Sequence, residues 1–247
     1  MPSTALSGVF RSLRQYHGDP ARAARMRALY AQFIGPGDLA FDIGAHVGDR
    51  TSVFRALGAR VVTLEPQPLL MRALRLIHGR DAGVMLTEAA CAATEGKIQL
   101  RINDANPTVS TASGAFITAA DGAAGWEGQC WRDSITVPCT TLDALLAAHG
   151  EPGFVKIDVE GFEADVLAGL SRPLPALSFE FTTIQREVAL RCLERLALLG
   201  DYRFALSLGE SHVFTRDTPI GASDMAALVT ALPHEANSGD IYALLQR

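Results

Sequence analysis

Apolar residues along this chain fall into short continuous runs that alternate with stretches of helical spacing. Runs at residues 39–44, 60–64 and 84–88 are typical of buried strands, and each begins shortly after a glycine. Helical spacing follows the first run as far as Leu57 and returns over residues 68–78. Strands joined by helices through short connections predict a β-α-β-α-β unit with a parallel sheet, so the fold class is α/β.

The rest of the chain continues this alternation less regularly. The pattern predicts strands over residues 97–102, 134–138, 154–158, 176–181, 202–208 and 240–245, and helices over residues 141–149, 161–170, 186–199 and 223–232. Seven strands form the expected core sheet, and the pair at 97–102 and 134–138 forms an insertion. The long stretch 103–133 between that pair is rich in Gly, Ala, Ser and Thr, which predicts a lid, a substrate loop or a disordered segment.

The residues before the first strand predict two helices. One is expected around residues 9–16, and Asp19-Pro20 has the sequence of an N-cap followed by proline at the first position of the other. A Gly-Pro-Gly sequence is expected to end that second helix. We expect a helical cap over residues 1–37 and a domain over residues 38–247 with its insertion at about 97–140, together one compact unit.

Composition narrows the classes of partner. The 27 acidic residues outnumber the 22 basic ones, and with a net charge of −5 we expect no nucleic-acid partner. The four cysteines form no CxxC pair, so we expect neither a metal centre nor a disulfide framework. The first thirty residues carry no apolar core of signal-peptide type, and no apolar run is long enough for a membrane span. We therefore expect a cytoplasmic location.

The first chemical signal is the segment FDIGAHVGDRT at residues 41–51, which predicts a strand end, a glycine turn and the start of a helix. Gly44 allows a sharp turn, and Gly48 lets a ligand approach the helix start. The spacing is GxxxG, whereas a dinucleotide fingerprint is GxGxxG. His46 is expected to line the cofactor, and Thr51 is a further candidate cofactor contact, which either donates to a carboxylate or caps the helix locally.

The acidic residue at this corner selects among nucleotide ligands. A helix N-terminus favours phosphate, and a carboxylate from Asp42 opposes it. The same carboxylate suits the ammonium group of S-adenosylmethionine (SAM), which has no phosphate, although Asp42 is also a candidate N-cap. Glu65 ends the second strand and is the expected acceptor for the ribose hydroxyls of either NAD or SAM. Glu88 and Ala89 end the third strand, where an adenine would lie.

A second acidic segment carries Lys156, Asp158 and Glu160 on one face of a predicted strand. A lysine in an apolar strand needs a partner, and Asp158 and Glu180 are the candidates. In a doubly wound sheet the strands of Asp42, Asp158 and Glu180 are neighbours, which predicts an acidic crescent at their carboxyl ends. That crescent suits a sulfonium cofactor and sugar hydroxyls, and its oxygens are of the kind that bind divalent cations. The alternative is a structural ion pair of Lys156 with one carboxylate.

Five segments occur together in one order: FDIGAHVGDRT at 41–51, LEPQP at 64–68, TLDAL at 141–145, KIDVEGFE at 156–163 and VLAGL at 166–170. With these segments the chain resembles the FkbM family of SAM-dependent methyltransferases over roughly residues 38–182. The resemblance implies a Rossmann-like class I methyltransferase fold, with a seven-stranded, mostly parallel sheet, helices on both faces and an antiparallel last strand. The N-terminal helices and the β-hairpin insertion are additions to that fold.

The resemblance also implies roles for individual residues. It implies methyl transfer from SAM to a hydroxyl of a sugar, a polyketide or another secondary metabolite. The methionine part of SAM is expected to contact Asp42, Gly44, His46 and Gly48, the ribose to contact Glu65, and the transferred methyl to lie near Asp158.

An alcohol acceptor must lose its proton, so a base is expected near it. Asp158 is the first candidate and Glu180 the second, with Lys156 beside them, and His17 and His212 are further candidates. The expected partner is a small-molecule or glycan acceptor, and the chain is either a monomer or a homodimer. The alternatives are N-methylation of an amine or peptide, an NAD-linked oxidoreductase on the same fold, and a SAM-fold protein that binds without catalysis.

Overall fold

The computed structural model describes residues 4–246. Its strands are β1 (Leu39–Ile43), β2 (Arg60–Leu64), β3 (Val84–Thr87), β4 (Ala90–Cys91), β5 (Gly96–Ile102), β6 (Asp133–Thr140), β7 (Phe154–Ile157), β8 (Ala176–Thr182), β9 (Tyr202–Leu208) and β10 (Ser238–Leu245). Its α-helices are α1 (Thr4–His17), α2 (Pro20–Tyr30), α3 (Asp49–Ala56), α4 (Pro68–His78), α5 (Gly114–Ala120), α6 (Leu142–His149), α7 (Glu163–Ala168), α8 (Arg186–Leu199) and α9 (Ala222–Ala231). Single 3-10 turns lie at Pro107–Val109, Thr183–Gln185 and His234–Ala236.

The main sheet of the described residues has seven strands in the order β3-β2-β1-β7-β8-β10-β9. Each strand runs parallel to its neighbours except β10, which pairs antiparallel with both β8 and β9. The expected mostly parallel sheet with an antiparallel last strand is confirmed. The strands that end beside Asp42, Asp158 and Glu180 are neighbours, as predicted, so the carboxyl ends of β1, β7 and β8 meet at one edge.

Helices cover both faces of this sheet. Alternate residues of each strand point to opposite sides, so both faces carry apolar side chains that need a covering layer. Phe41 and Ile43 pack into the larger cluster, which α6, α7, α8 and α9 cover. Ala40 and Phe154 pack into the other cluster, to which α2 contributes Tyr30 and α3 contributes its own apolar residues. The expected arrangement of helices on both faces is therefore confirmed.

The insertion forms a small second sheet in the order β4-β6-β5, in which β5 and β6 are the predicted antiparallel pair. The two-residue strand β4 was not predicted, because two residues carry no period. The stretch between β5 and β6 is folded around the buried side chains of Val109, Phe116, Ala120 and Trp126. Disorder is therefore the wrong alternative for this stretch, and part of it borders the cavity described below.

The N-terminal helices pack on the main domain. Helix α1 is longer than the predicted residues 9–16, and its Val9 packs against Val47 and Leu70. Helix α2 begins after Asp19, which caps the amide of Arg22, as predicted. It ends at Tyr30, before the Gly-Pro-Gly sequence. The domain boundaries stay predictions, and residues 1–3 and 247 of those predicted ranges lie outside the described residues.

We expect Phe154→Ala to lower the free energy of unfolding by about 3–5 kcal/mol, because truncation leaves a cavity in a close-packed core. The ring of Phe154 is fully buried on β7 and stacks on Phe33 at 5.1 Å and on Tyr242 at 6.3 Å. Urea denaturation followed by circular dichroism measures the change. The matched control is Phe10→Ala, since the Phe10 side chain is 65% exposed and its loss should change stability by less than about 0.5 kcal/mol. Equal losses in the two variants would contradict this account of the core.

Candidate active site

A cleft with about 850 Å³ of empty space, which includes the open solvent at its mouth, lies at the carboxyl ends of β1, β2, β7 and β8. Its wall includes Gly44 and Asp158 from adjacent strand ends, where the strand order reverses. Ligands of open α/β sheets bind at such a switch point.

The glycine turn brings two strand ends into contact at the floor of the cavity. Gly44 has φ +83°, and a Cβ built on it would lie 1.8 Å from the carbonyl oxygen of Asp158. Only glycine fits both the conformation and the space. His46 also has a positive φ, 52°, and its ring meets Tyr16 edge to face at 5.2 Å. Burial lowers the pKa of His46 to about 4, so its imidazole is neutral at pH 7.

Asp42 lies beneath the turn and does not line the cavity. Its Oδ2 accepts a 2.6 Å hydrogen bond from Thr51, while its Oδ1 is buried without a hydrogen-bond partner. Burial raises the pKa of Asp42 from 3.8 to about 6, against the opposing effect of the Thr51 bond. Asp42 does not cap α3, because the N-cap residue is Gly48. The predicted contact of Asp42 with the methionine part and the predicted contact of Thr51 with the cofactor stay predictions.

Glu65 lines the cavity and ties two loops together. Its Oε2 accepts from the amide of His46 at 2.9 Å, and its Oε1 accepts from the amide of Gln67 at 2.8 Å. Burial raises the pKa of Glu65 to about 8, although both amide bonds lower it. The carboxyl group keeps further lone pairs, so hydroxyl groups of a ribose are acceptable partners.

The predicted adenine-binding and glycine residues have different placements. Ala89 borders the cavity beside Cys91 and other apolar side chains of the insertion. Glu88 instead forms a surface ion pair with Arg75 at 2.7 Å. Gly48 has φ +79°, a conformation that side chains rarely adopt, and a Cβ there would also meet the side chain of Leu74 at 2.5 Å, so the backbone of the turn accounts for this glycine. The cofactor contacts predicted for Glu88 and Gly48 stay predictions.

Lys156 is fully buried and lies behind the cavity wall. Its Nζ lies 2.5 Å from Oδ1 of Asp240 and 3.3 Å from Oδ2 of Asp158. Of the two predicted partners, Asp158 forms an ion pair with Lys156 and Glu180 does not. The second partner is Asp240, on the antiparallel strand β10. Desolvation lowers the pKa of Lys156, but Asp158 and Asp240 together raise it well above its ordinary value. Lys156 is therefore a charged group that holds Asp158 in place.

Three carboxyl groups meet on the cavity wall. Oxygens of Asp158, Glu160 and Glu180 lie within 4.8 Å of one another, which forms the predicted acidic crescent. Burial, reinforced by the charge of Asp158, raises the pKa values of Glu160 and Glu180 well above their ordinary range. Such oxygens are ligands of hard cations. The expectation that the protein uses no metal stays a prediction.

Several residues of the site had no role in the sequence prediction. Arg50, in the first turn of α3, lines the cavity 3.5 Å from Oδ2 of Asp158. Tyr16 from α1 and Glu210 from the loop after β9 also line it. Arg50 lies two residues after Gly48 in the glycine segment, and this position is the one sequence feature that could have identified it as a site residue. No local sequence pattern indicates that Tyr16 or Glu210 belongs to the site.

The two histidines predicted as further bases lie off the cavity wall. Nε2 of His17 lies 2.8 Å from the carbonyl oxygen of Val47. His212 is buried, has φ 53° and lies 3.0 Å from Oε2 of Glu210. The catalytic role predicted for these two histidines stays a prediction. Their contacts give each a structural role, since His17 contacts the backbone of the glycine turn and His212 contacts Glu210.

Seven strands in this order, with an antiparallel β10 and helices on both faces, form the class I SAM-dependent methyltransferase fold. The sequence model of the methyltransferase FkbM domain matches residues 42–206, more than half of the chain. The chain therefore belongs to the FkbM methyltransferase family, and its cofactor is SAM. Family membership sets aside the NAD-linked oxidoreductase alternative. A search of curated proteins found no significant match.

Similar solved structures include two methyltransferases and a fibrillarin. An O-methyltransferase from Bacillus cereus in complex with S-adenosylhomocysteine (SAH) has TM-score 0.48 and 12% identity, over 97% of this chain and 91% of that one. A precorrin-6y C5,15-methyltransferase from Geobacter metallireducens has TM-score 0.45 and 15% identity, over 90% and 87%. Fibrillarin from Aeropyrum pernix with bound SAM has TM-score 0.44 and 14% identity, over 86% and 68%. At these values the similarities say nothing about the acceptor of this chain.

The residues of the cavity fit SAM. Gly44 leaves room that any Cβ would fill, Glu65 offers oxygens to a ribose, and Ala89 and Cys91 offer apolar surface to an adenine. The buried Nε of Arg50 lacks a hydrogen-bond partner.

Within residues 4–246, no helix is long and apolar enough to cross a membrane.

We expect Glu65→Ala to weaken binding of SAH about tenfold, because the Glu65 carboxyl group can form hydrogen bonds with both ribose hydroxyls and each bond contributes about 0.5–1.5 kcal/mol. Isothermal titration calorimetry measures the affinity. The control is 2′-deoxy-SAH, which lacks one ribose hydroxyl. It should bind the wild type more weakly than SAH does and should bind Glu65→Ala about as well as SAH does. A variant that still discriminates between the two ligands would rule out the ribose assignment.

Asp42→Asn should make the protein more stable at pH 8 relative to wild type than it is at pH 4. The pKa of Asp42 is raised from 3.8 to about 6 on folding, so its ionisation opposes folding as the pH rises through that window. As the pH rises from 4 to 8, the free energy of unfolding of the wild type therefore falls by up to about 3 kcal/mol from this group, whereas the asparagine variant has no such loss. Urea denaturation at both pH values measures the difference. Asp224→Asn, at an exposed position, is the control, and a stability difference that does not vary with pH would refute a raised pKa at Asp42.

Proposed function

We propose that the protein transfers the methyl group of SAM to a hydroxyl of a small-molecule or glycan acceptor, such as a sugar, a polyketide or another secondary metabolite. The observation that carries this proposal is the meeting of Asp158, Glu160 and Glu180 on the cavity wall, with oxygens within 4.8 Å of one another. A hydroxyl is a weak nucleophile until its proton is removed, and carboxylates are the available bases. Bound SAM supplies an electrophilic methyl group on a sulfonium.

Asp158 is the first candidate for the base. Its Oδ2 lies near two cations, Lys156 at 3.3 Å and Arg50 at 3.5 Å. Among the described residues, its Oδ1 has no hydrogen bond or ion pair, and it is free to accept a proton from the acceptor hydroxyl. Holding the base in one orientation supports in-line transfer, because positioning alone removes much of the barrier. Lys156 does not line the cavity, so we assign it as a residue that positions Asp158.

Glu180 is the second candidate for the base. It lines the cavity, and burial together with Asp158 raises its pKa, so its carboxylate is a stronger proton acceptor once it is ionised. Glu160 has the same environment, and two adjacent carboxyl groups do not both ionise readily. The pair is then available to share a proton and to hydrogen-bond neighbouring hydroxyls of a polyol acceptor.

N-methylation is the alternative chemistry. Glu160 and Glu180 have no cationic partner among the described residues, and an amine-bearing acceptor would supply one. A panel of sugars, polyols and amines with isotopically labelled SAM distinguishes the two, since the position of the label in the product is read directly by NMR. A protein that binds SAH yet labels no member of the panel would favour a binding role without catalysis.

Asp158→Asn is expected to lower turnover at least about a hundredfold, because a positioned base contributes about 10²–10⁴ in rate. Affinity for SAH should stay within a few fold of wild type. Turnover is measured with an acceptor from the panel, and affinity by calorimetry. Asp224→Asn, an exposed substitution of the same kind, should change neither quantity. Unchanged turnover in Asp158→Asn would remove Asp158 as the base, and the same assay on Glu180→Gln would then test the second candidate.

A further inference from the structure

Arg50 is a cation whose three carboxylate contacts are all long. Its Nη1 lies 3.5 Å from Asp49, and its Nη2 lies 3.5 Å from Asp158 and 3.6 Å from Oε1 of Glu210. Charge-assisted N–H···O bonds are normally about 2.7–2.9 Å long. The Nε of the same side chain is buried and has no hydrogen-bond partner. The Arg50 side chain lines the cavity, and among the described residues its one hydrogen bond is the long one from Nη1 to Asp49 at 3.5 Å.

The short bonds of this charge cluster belong to Arg22 instead. Nη1 of Arg22 lies 2.7 Å from Asp49, and its Nη2 and Nε lie 2.6 and 2.9 Å from Oε2 of Glu210. His212 is a further neighbour of the same oxygen, at 3.0 Å. These contacts fix Glu210 through Oε2 and leave its Oε1 facing Arg50 across 3.6 Å. The Glu210 side chain is 46% exposed, so a ligand can reach that oxygen.

Arg50 and Glu210 therefore present one positive and one negative group side by side, each with bonding capacity left. An α-amino acid carries the complementary pair, a carboxylate and an ammonium on one carbon. SAM has such an amino-acid end, and this end is attached to the same sulfur as the transferred methyl. Asp158 is the residue expected near that methyl, and it lies 3.5 Å from Arg50. The amino-acid end must lie in the same part of the cavity.

We infer that Arg50 and Glu210 bind the amino-acid end of SAM, with Arg50 binding the carboxylate and Oε1 of Glu210 binding the ammonium. The sequence had placed the recognition of that ammonium on Asp42, which lies beneath the turn and off the cavity wall. Glu210 and its anchor Arg22 both lie outside the family match at residues 42–206. Part of the cofactor site is thus supplied by segments that flank the matched region.

The test uses three ligands that share the adenosine thioether. SAH carries the carboxylate and the amine, decarboxylated SAH carries the amine alone, and 5′-methylthioadenosine carries neither. Calorimetry with Arg50→Gln should show that the affinity for SAH falls about 10–100-fold, the effect of losing one charge-assisted hydrogen bond. Decarboxylated SAH and 5′-methylthioadenosine should change less than about threefold, since neither has a group for Arg50 to bind.

A matched control comes from the same helix. Arg55→Gln removes a guanidinium whose partner is the surface residue Asp81, at 2.8 Å, and it should leave all three affinities unchanged. If Arg50→Gln weakens SAH and decarboxylated SAH equally, or weakens neither, the assignment of the carboxylate to Arg50 is wrong.

Glu210→Gln tests the other half without altering Arg50. It should weaken SAH and decarboxylated SAH by similar factors and leave 5′-methylthioadenosine unchanged. A loss confined to SAH, an equal loss for all three ligands or no loss would overturn the assignment to Glu210. These measurements need no methyl acceptor, so they stand or fall separately from the proposed O-methylation.

Discussion

The site depends on the buried ammonium of Lys156. An unpaired ammonium at a position without solvent exposure would cost several kcal/mol, so the fold has to supply anions. Asp240 meets Lys156 at 2.5 Å and Asp158 meets it at 3.3 Å. Asp240 comes from β10, which reaches this position because it inserts antiparallel between β8 and β9. The last strand of the chain therefore neutralises the cation that holds the candidate base, and the geometry of the site depends on completion of the sheet.

A second set of contacts connects the site to the flanking segments. Starting on α2, charges of alternating sign run from Arg22 to Glu210, then to Arg50 and Asp158, with N···O distances of 2.6, 3.6 and 3.5 Å. The first contact is short and fixes the loop after β9, whereas the next two are long and border the cavity. The N-terminal helices and that loop thus contribute to the electrostatics of the cavity. A ligand that separates the loosely held charges has to replace them with charges of its own, which favours a zwitterion over a neutral molecule.

The sequence predicted what local patterns encode. Helix α4 was predicted with its observed bounds, Pro68–His78, because proline opens it and its apolar positions keep one period. The neighbouring order of the strands before Asp158 and Glu180 followed from the parallel topology. The partner of Lys156 was missed because it lies 84 residues away on a strand whose place in the sheet no local pattern gives. Asp42 was placed correctly at a strand end, but packing against Thr51 turned its carboxyl group beneath the turn.

Several buried carboxyl groups of the cavity affect both the stability of the fold and the kind of ligand that the cavity favours. Burial raises the pKa values of Glu65, Glu160 and Glu180, so each of these groups is less stable as an anion in the folded protein than in water. A cation in the cavity offsets part of that cost, and the sulfonium of SAM is one. Methyl transfer would convert the sulfonium into a neutral thioether and remove this attraction. With Glu65 at the ribose and Arg50 and Glu210 at the amino-acid end, as proposed, the product would keep only those two sets of contacts. The same carboxyl groups that disfavour a phosphate ligand would then favour exchange of spent cofactor for SAM.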